Sequence, residues 1–256
     1  MPRSCVNGGG VASILRLPHP PAMEEEINLG AGSGDVLQRW FARPGDLLTA
    51  VDPERRCYRL RLTSMGEHPR GVPFARLVRP VESRLAIEVY QSLPAKERFE
   101  LVLQKLTELG VQRLVPVETT RSTTLAERAA GQAKFHRWPE VIVRAAKQCR
   151  RAMLPELFPV VTFDEALALA ADAELRLICY EGEEVWPLAE VLGMWRPSRV
   201  ALLIGPEGGF ATAEVAAARA ARFVPVALGP RLLRTETAAI VGTALLQGLL
   251  GDLCQA

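Results

Sequence analysis

Residues 202–210 read LLIGPEGGF, an apolar run that ends in a glycine turn, and residues 211–221 follow as ATAEVAAARAA. A strand feeding a loop and then a helix has this pattern, and in α/β proteins such loops hold small molecules. The same order recurs on both sides. RLVPVET (113–119), LRLICYE (175–181), VALLIGP (200–206) and FVPVALG (223–229) are short and apolar at successive positions, as buried parallel strands are. In KERFELVLQKLTELGV (96–111), Phe99, Val102, Leu103, Leu106 and Leu109 recur at helical spacing and Gly110 stands where a C-terminal cap belongs. This alternation argues an α/β domain from about residue 84 to the end.

Ahead of it, from about Ile14 to Pro80, the runs are shorter and split by turns. Tyr58, Leu60 and Leu62 alternate with Arg59, Arg61 and Thr63, which predicts a half-buried strand with a polar outer face in a small, mostly β unit. Residues 1–13, MPRSCVNGGGVAS, read as a flexible leader without the apolar stretch of a signal peptide. The longest apolar helical pattern, residues 237–251, falls short of the roughly 20 residues that cross a bilayer, so no membrane association is expected.

The chain has 256 residues, enough for one large domain or two smaller ones. With 31 Lys and Arg against 29 Asp and Glu, nucleic-acid affinity has to come from the distribution of charge, not its excess. Cys5, Cys57, Cys149, Cys179 and Cys254 are dispersed, and His19, His68 and His136 lack metal-type spacing, so a reduced, cytoplasmic protein without a metal site is expected.

Two glycine loops compete for a ligand. In INLGAGSGDV (27–36), Gly30, Gly32 and Gly34 precede a possible helix, and Asp52 follows at the distance of a ribose-binding acid. That order fits a Rossmann-type enzyme, or a plain glycine-rich turn in a β unit. The late loop has a partner: LGPRLLRTETAAIVGTALLQG (228–248) leaves a second buried strand through Gly229 and Pro230, with Thr235 placed to cap a helix. Two such exits converge at the carboxyl edge of one sheet. In VIVRAAKQCRRAMLPEL (141–157), Arg144, Lys147, Arg150 and Arg151 fall on one side of a helix, a basic face for RNA phosphates or an ordinary solvated one. Pro139 should start a new helix or kink one.

Together LLIGPEGGFATAEV and LGPRLLRTETAAI resemble the paired motifs of the RsmE family, the ribosomal-RNA uridine N3-methyltransferases of the SPOUT superfamily. ERFELVLQKLTELGVQRLVPVETTRS (97–122) and RWPEVIVRAAKQCRRAMLPEL (137–157) agree with it in order. The resemblance implies a PUA-like β-barrel RNA-binding domain over 14–80 and, over 84–256, an α/β methyltransferase domain with a deep trefoil knot. It also implies a homodimer, S-adenosyl-L-methionine as the methyl donor, and small-subunit ribosomal RNA or the assembled subunit as substrate. Gly205, Gly209, Leu228, Gly229 and Leu233 match positions that contact the donor, and Lys105 and Arg121 match further motif positions. Lys147 stands where relatives carry a glutamate, and Asp35, Arg39, Trp40 and Phe41 replace a His-containing run.

Methylating a uridine at its ring imino nitrogen requires loss of that proton, hence a base or a cation that stabilises the anion. Arg234 is the expected stabilising cation, and Glu207 or Glu236 the expected proton acceptor or partner of Arg234. A helix-capping or ion-pair role is the plainer alternative for Arg234, and favourable placement near a helix N-terminus for each glutamate. A SPOUT-fold RNA-binding protein without catalysis also stays open.

Overall fold

The computed structural model describes residues 5–94, 98–124 and 137–254; His136 and the first four residues of the leader lie outside them. Among these residues the strands form two sheets. The first contains β1 (Leu15–Arg16), β2 (Ile27–Asn28), β3 (Leu47–Val51), β4 (Cys57–Ser64) and β5 (Arg70–Arg76) in the order β1-β3-β4-β5-β2, with one short helix, α1 (Ser33–Arg39). Its ladders are antiparallel except β1–β3, and β1 and β2 stand at opposite edges of an open sheet.

The second sheet is parallel throughout, as the unbroken apolar runs require. It comprises β6 (Ala86–Ser92), β7 (Arg113–Glu118), β8 (Glu156–Leu157), β9 (Val161–Thr162), β10 (Leu175–Cys179), β11 (Trp186–Pro187), β12 (Arg199–Ile204) and β13 (Val224–Ala227). The order is β11-β13-β10-β12-β6-β7-β8, with β9 also on β7. Crossovers run through α2 (Arg98–Glu108), α3 (Trp138–Gln148), α4 (Phe163–Leu169), α5 (Leu188–Met194) and α6 (Thr212–Ala220), and α7 (Thr235–Leu249) closes the fold. Leu202 and Ile204 enter a core shared with α2, α3, α7 and the first sheet, whereas Ala201 and Leu203 enter a second core on the opposite face. Burial on both faces explains why no polar alternation marks β12. Phe99 of α2 meets Trp138 of α3 edge-on at 4.5 Å between ring centroids, and Pro139 sits in the first turn of α3 as expected. Gly110 caps α2 at φ +77°, with Val111 N–H returning to Leu106 O. No helix among the described residues is long and apolar enough to cross a membrane.

Three expectations are corrected here. Residues 5–13 are docked, not a flexible leader: Val6 N–H bonds Leu157 O at 2.7 Å, and the Asn7 side chain accepts from Leu157 N–H and donates to Pro155 O. Trp40 Nε1 and the Arg39 guanidinium hold the following turn by bonding Ser13 O and Ala12 O. The leader therefore covers the outer edge of β8, where unpaired strand groups would otherwise face solvent. Secondly, the early glycine loop is no Rossmann fingerprint. β2 is a two-residue edge strand antiparallel to β5, and Asp52 is 2% exposed and occupied by Arg56 N–H, Arg56 Nε and Tyr58 OH. Thirdly, Arg59 is buried instead of solvated. Its guanidinium bonds Thr49 Oγ1, which in turn donates to Arg150 O, because this part of the sheet face packs on the turn after α3.

That packing also dissolves the basic face as first drawn. Arg151 is only 3% exposed: it pairs with Glu82 at 2.8 Å and donates to Thr107 O and Val111 O, so it cannot reach RNA. Glu82 additionally accepts Ala152 N–H and Met153 N–H. Lys147 pairs with Asp46 at 2.7 Å across the two sheets' domains. Burial works to raise the Asp46 carboxyl, but its bonds to Lys147 and the Arg43 N–H carry it below the usual range. Arg144 and Arg150 remain exposed. Removing one member of a buried ion pair strands the other and its neighbours. Arg151→Ala should therefore lose about 3 kcal/mol of stability in urea unfolding, with Tm falling by roughly 5–10 °C.

Candidate active site

Strands β10, β12 and β13 end side by side, and the chain leaves each of them into one cavity of about 910 Å³. Small-molecule sites run from about 300 to 1,000 Å³. Gly205, Gly209, Leu228, Gly229, Leu233, Arg234 and Glu207, all singled out in the sequence, line it. Glu236 lies one residue past Thr235, in the first turn of α7. The two glycine loops thus do converge at the carboxyl edge of the sheet.

The local backbone explains the glycines. Gly209 has φ +66°, and a Cβ there would stand 2.9 Å from Glu181 Oε1. At Gly205 a Cβ would press on the Phe210 ring at 3.1 Å. Both positions bring bare backbone to the cavity where a side chain would fill it.

Polar bonds tie the loops to their neighbours. Thr235 does not cap α7; Arg234 occupies that position without a side-chain bond. The Thr235 hydroxyl instead donates to Gly205 O at 2.5 Å and accepts from Gln91 Nε2 at 2.9 Å, joining the exits of β6, β12 and β13. Arg121, expected among the RNA contacts, donates to Gly208 O at 3.0 Å and so braces the loop after β12. Glu214 accepts Thr120 N–H, the Thr120 hydroxyl and Ala211 N–H, fastening the same loop to the exit of β7. Lys105 lies apart from the cavity lining, paired with both carboxylate oxygens of Glu108 at 2.9–3.0 Å.

Charge around the mouth is mixed. Arg234 is exposed, and its guanidinium makes no hydrogen bond or ion pair among the described residues. Arg98, the first residue of α2, lies 2.9 Å from Glu207 and 3.9 Å from Glu236. Glu236 Oε2 is buried with no hydrogen-bond partner among the described residues. Cys179 is among the lining residues, where burial and then the Glu181 carboxylate push its thiol up to about 12. Sequence reasoning missed Arg98, Gln91 and Glu181. Arg98 is 109 residues from Glu207, and no short motif contains both.

Such a cavity can hold a partly apolar small molecule, with Arg98, Arg231 and Arg234 and the carboxylates of Glu181 and Glu207 in its lining. The sequence profile of a family described as RNA methyltransferase domain matches residues 81–247. The ribosomal RNA small subunit methyltransferase E of Synechocystis sp. is 34% identical over 231 residues, covering 89% of this chain and 75% of that protein. The protein of the same name from Bacillus subtilis is 34% identical over 161 residues; there the alignment spans 60% of this chain and 63% of the relative. Among solved structures, the ribosomal RNA small subunit methyltransferase E of Neisseria gonorrhoeae, bound to S-adenosyl methionine, superposes with a TM-score of 0.67 at 29% identity, over 93% of this chain and 98% of that one.

Proposed function

Because this chain belongs to the RNA methyltransferase domain family, we propose that it methylates N3 of a specific uridine in 16S ribosomal RNA with S-adenosylmethionine as donor. The observation that carries this reading is the single cavity built by both glycine loops, with Arg234, Glu207 and Glu236 around it. The donor set fits the group. Backbone bared at Gly205, Gly209 and Gly229 suits the adenine edge, Leu228 and Leu233 suit its faces, and the carboxylates of Glu181 and Glu207 suit a positively charged molecule. When bound, S-adenosylmethionine supplies a methyl group already activated by its sulfonium.

The chain's own residues then have three tasks. The Arg234 guanidinium, unpaired among the described residues, stabilises negative charge on the uracil ring as its imino proton leaves. Glu207, which lines the cavity, or Glu236, in the first turn of α7, receives that proton. Arg121, Glu214 and Thr235 keep the loops fixed while this happens. Arg144 and Arg150 are the exposed cations of the α3 end that can follow RNA phosphates, with Lys147 and Lys105 as partly shielded additions.

A knotted arrangement fits the same reading: after β13, which lies beyond β10, the chain returns to bond Gly205 and Gln91 at the exits of β12 and β6. The open N-terminal sheet is the counterpart of a PUA-like barrel. Leu245 and Leu249 on α7, 39% and 56% exposed, and Leu253 at 55% offer an apolar stripe to a second copy, which supports a homodimer. Mass spectrometry of small-subunit ribosomal RNA from cells with and without this protein tests the function. One N3-methyluridine should vanish in its absence; an unchanged set of methylated nucleosides would refute the proposal.

A further inference from the structure

We infer that Arg98 is a positioning residue for methyl transfer, acting by clasping Glu207 and Glu236 across the mouth of the cavity; this rests on the reading of those carboxylates given above. Arg98 is the first described residue of α2, and two carboxylates from separate segments of the chain face it. Arg98 Nη1 donates to Glu207 Oε1 at 2.9 Å, on the loop after β12, and Nε lies 3.9 Å from Glu236 Oε1, in the first turn of α7. Arg98 also lines the cavity.

The clasp is asymmetric in a useful way. It hydrogen-bonds Glu207, approaches Oε1 of Glu236 only to ion-pair distance, and leaves Oε2 of Glu236, which is buried and has no hydrogen-bond partner among the described residues. At 3.9 Å the guanidinium acts on Glu236 as a nearby charge and not through a hydrogen bond, and it favours the carboxylate orientation that turns Oε1 towards Arg98. Fixing that orientation matters because a displacement of about 1 Å at a reacting group can cost about 10²-fold in rate. The Arg98 and Glu207 side chains are each more than a third exposed, so the pair contributes little to folding. Its effect should therefore be seen in rate and not in stability.

The test is single-turnover methyl transfer to small ribosomal subunits at saturating S-adenosylmethionine, with the full chain. Arg98→Gln should slow transfer by about 10–100-fold, change donor Kd by less than about 3-fold and leave Tm nearly unchanged. Arg98→Lys, which keeps the charge but not the fork, should recover part of the rate. In a Glu236→Gln background, Arg98→Gln should slow transfer by less than about 3-fold, because the group it positions is already gone. Equal losses in both backgrounds, or a donor Kd that weakens in step with the rate, would overturn the role of Arg98 alone. If neither Glu236→Gln nor Glu207→Gln slows transfer, the carboxylate assignment fails and the clasp fails with it.

Discussion

Arg234→Ala is expected to lower the methyl-transfer rate by about 10²–10³-fold, the loss typical when one preorganised donor to a developing anion is removed. Donor Kd, measured by calorimetry, should move by less than about 3-fold, since an interaction made only in the transition state does not contribute to ground-state binding. The structural basis is the isolation of this side chain. It stands at the start of α7, exposed at the cavity, and no carboxylate among the described residues neutralises it. Arg234→Lys should recover only a fraction, because a point charge does not reproduce a planar donor pair. If rate and donor affinity fall together in Arg234→Ala, the residue binds the donor and the anion-stabilising role is wrong.

Gly209→Val should raise the donor Kd at least 100-fold, equivalent to about 2.7 kcal/mol. Two costs combine. The φ of +66° is left-handed and unfavourable for a branched residue, and the new Cβ would crowd Glu181 Oε1 at 2.9 Å inside the cavity. Gly66→Val separates the two. Gly66 also has positive φ, +118°, but its Cβ would meet nothing within 4 Å and it lies far from the site in sequence and sheet. It should weaken folding while leaving donor affinity intact. Equal donor Kd values for the two variants would mean that the loop after β12 does not contact the donor.

Much of the methyltransferase half was readable because its signals are local. Successive apolar residues in LRLICYE and VALLIGP announce strands buried on both faces, and Gly110 announces the end of α2. The two glycine exits could be placed at one edge of a sheet from chain order alone. What escaped depends on partners far along the chain. Helical spacing put Arg151 with Arg144, yet the helix ends at Gln148 and the following turn carries Arg151 inward to Glu82. Alternation put Arg59 in solvent, because nothing in β4 shows that another element covers that face. Thr235 has the right residue type and place for a cap, and only the three-dimensional arrangement shows its hydroxyl donating to Gly205 O and accepting from Gln91 Nε2 instead. Strand order and the Arg98 clasp belong to the same class of unreadable facts.

The docked leader has a consequence for the order in which the protein is made. Asn7 bonds Leu157, 150 residues later, and Lys147 and Arg151 fasten residues Asp46 and Glu82 that were synthesised long before. A ribosome adding about 5–20 residues per second keeps the N-terminal tail waiting for many seconds before its seat exists. During that interval the nascent chain carries a stretch of main chain with no mate, and the two halves of the molecule can lock only once the chain has grown past Leu157.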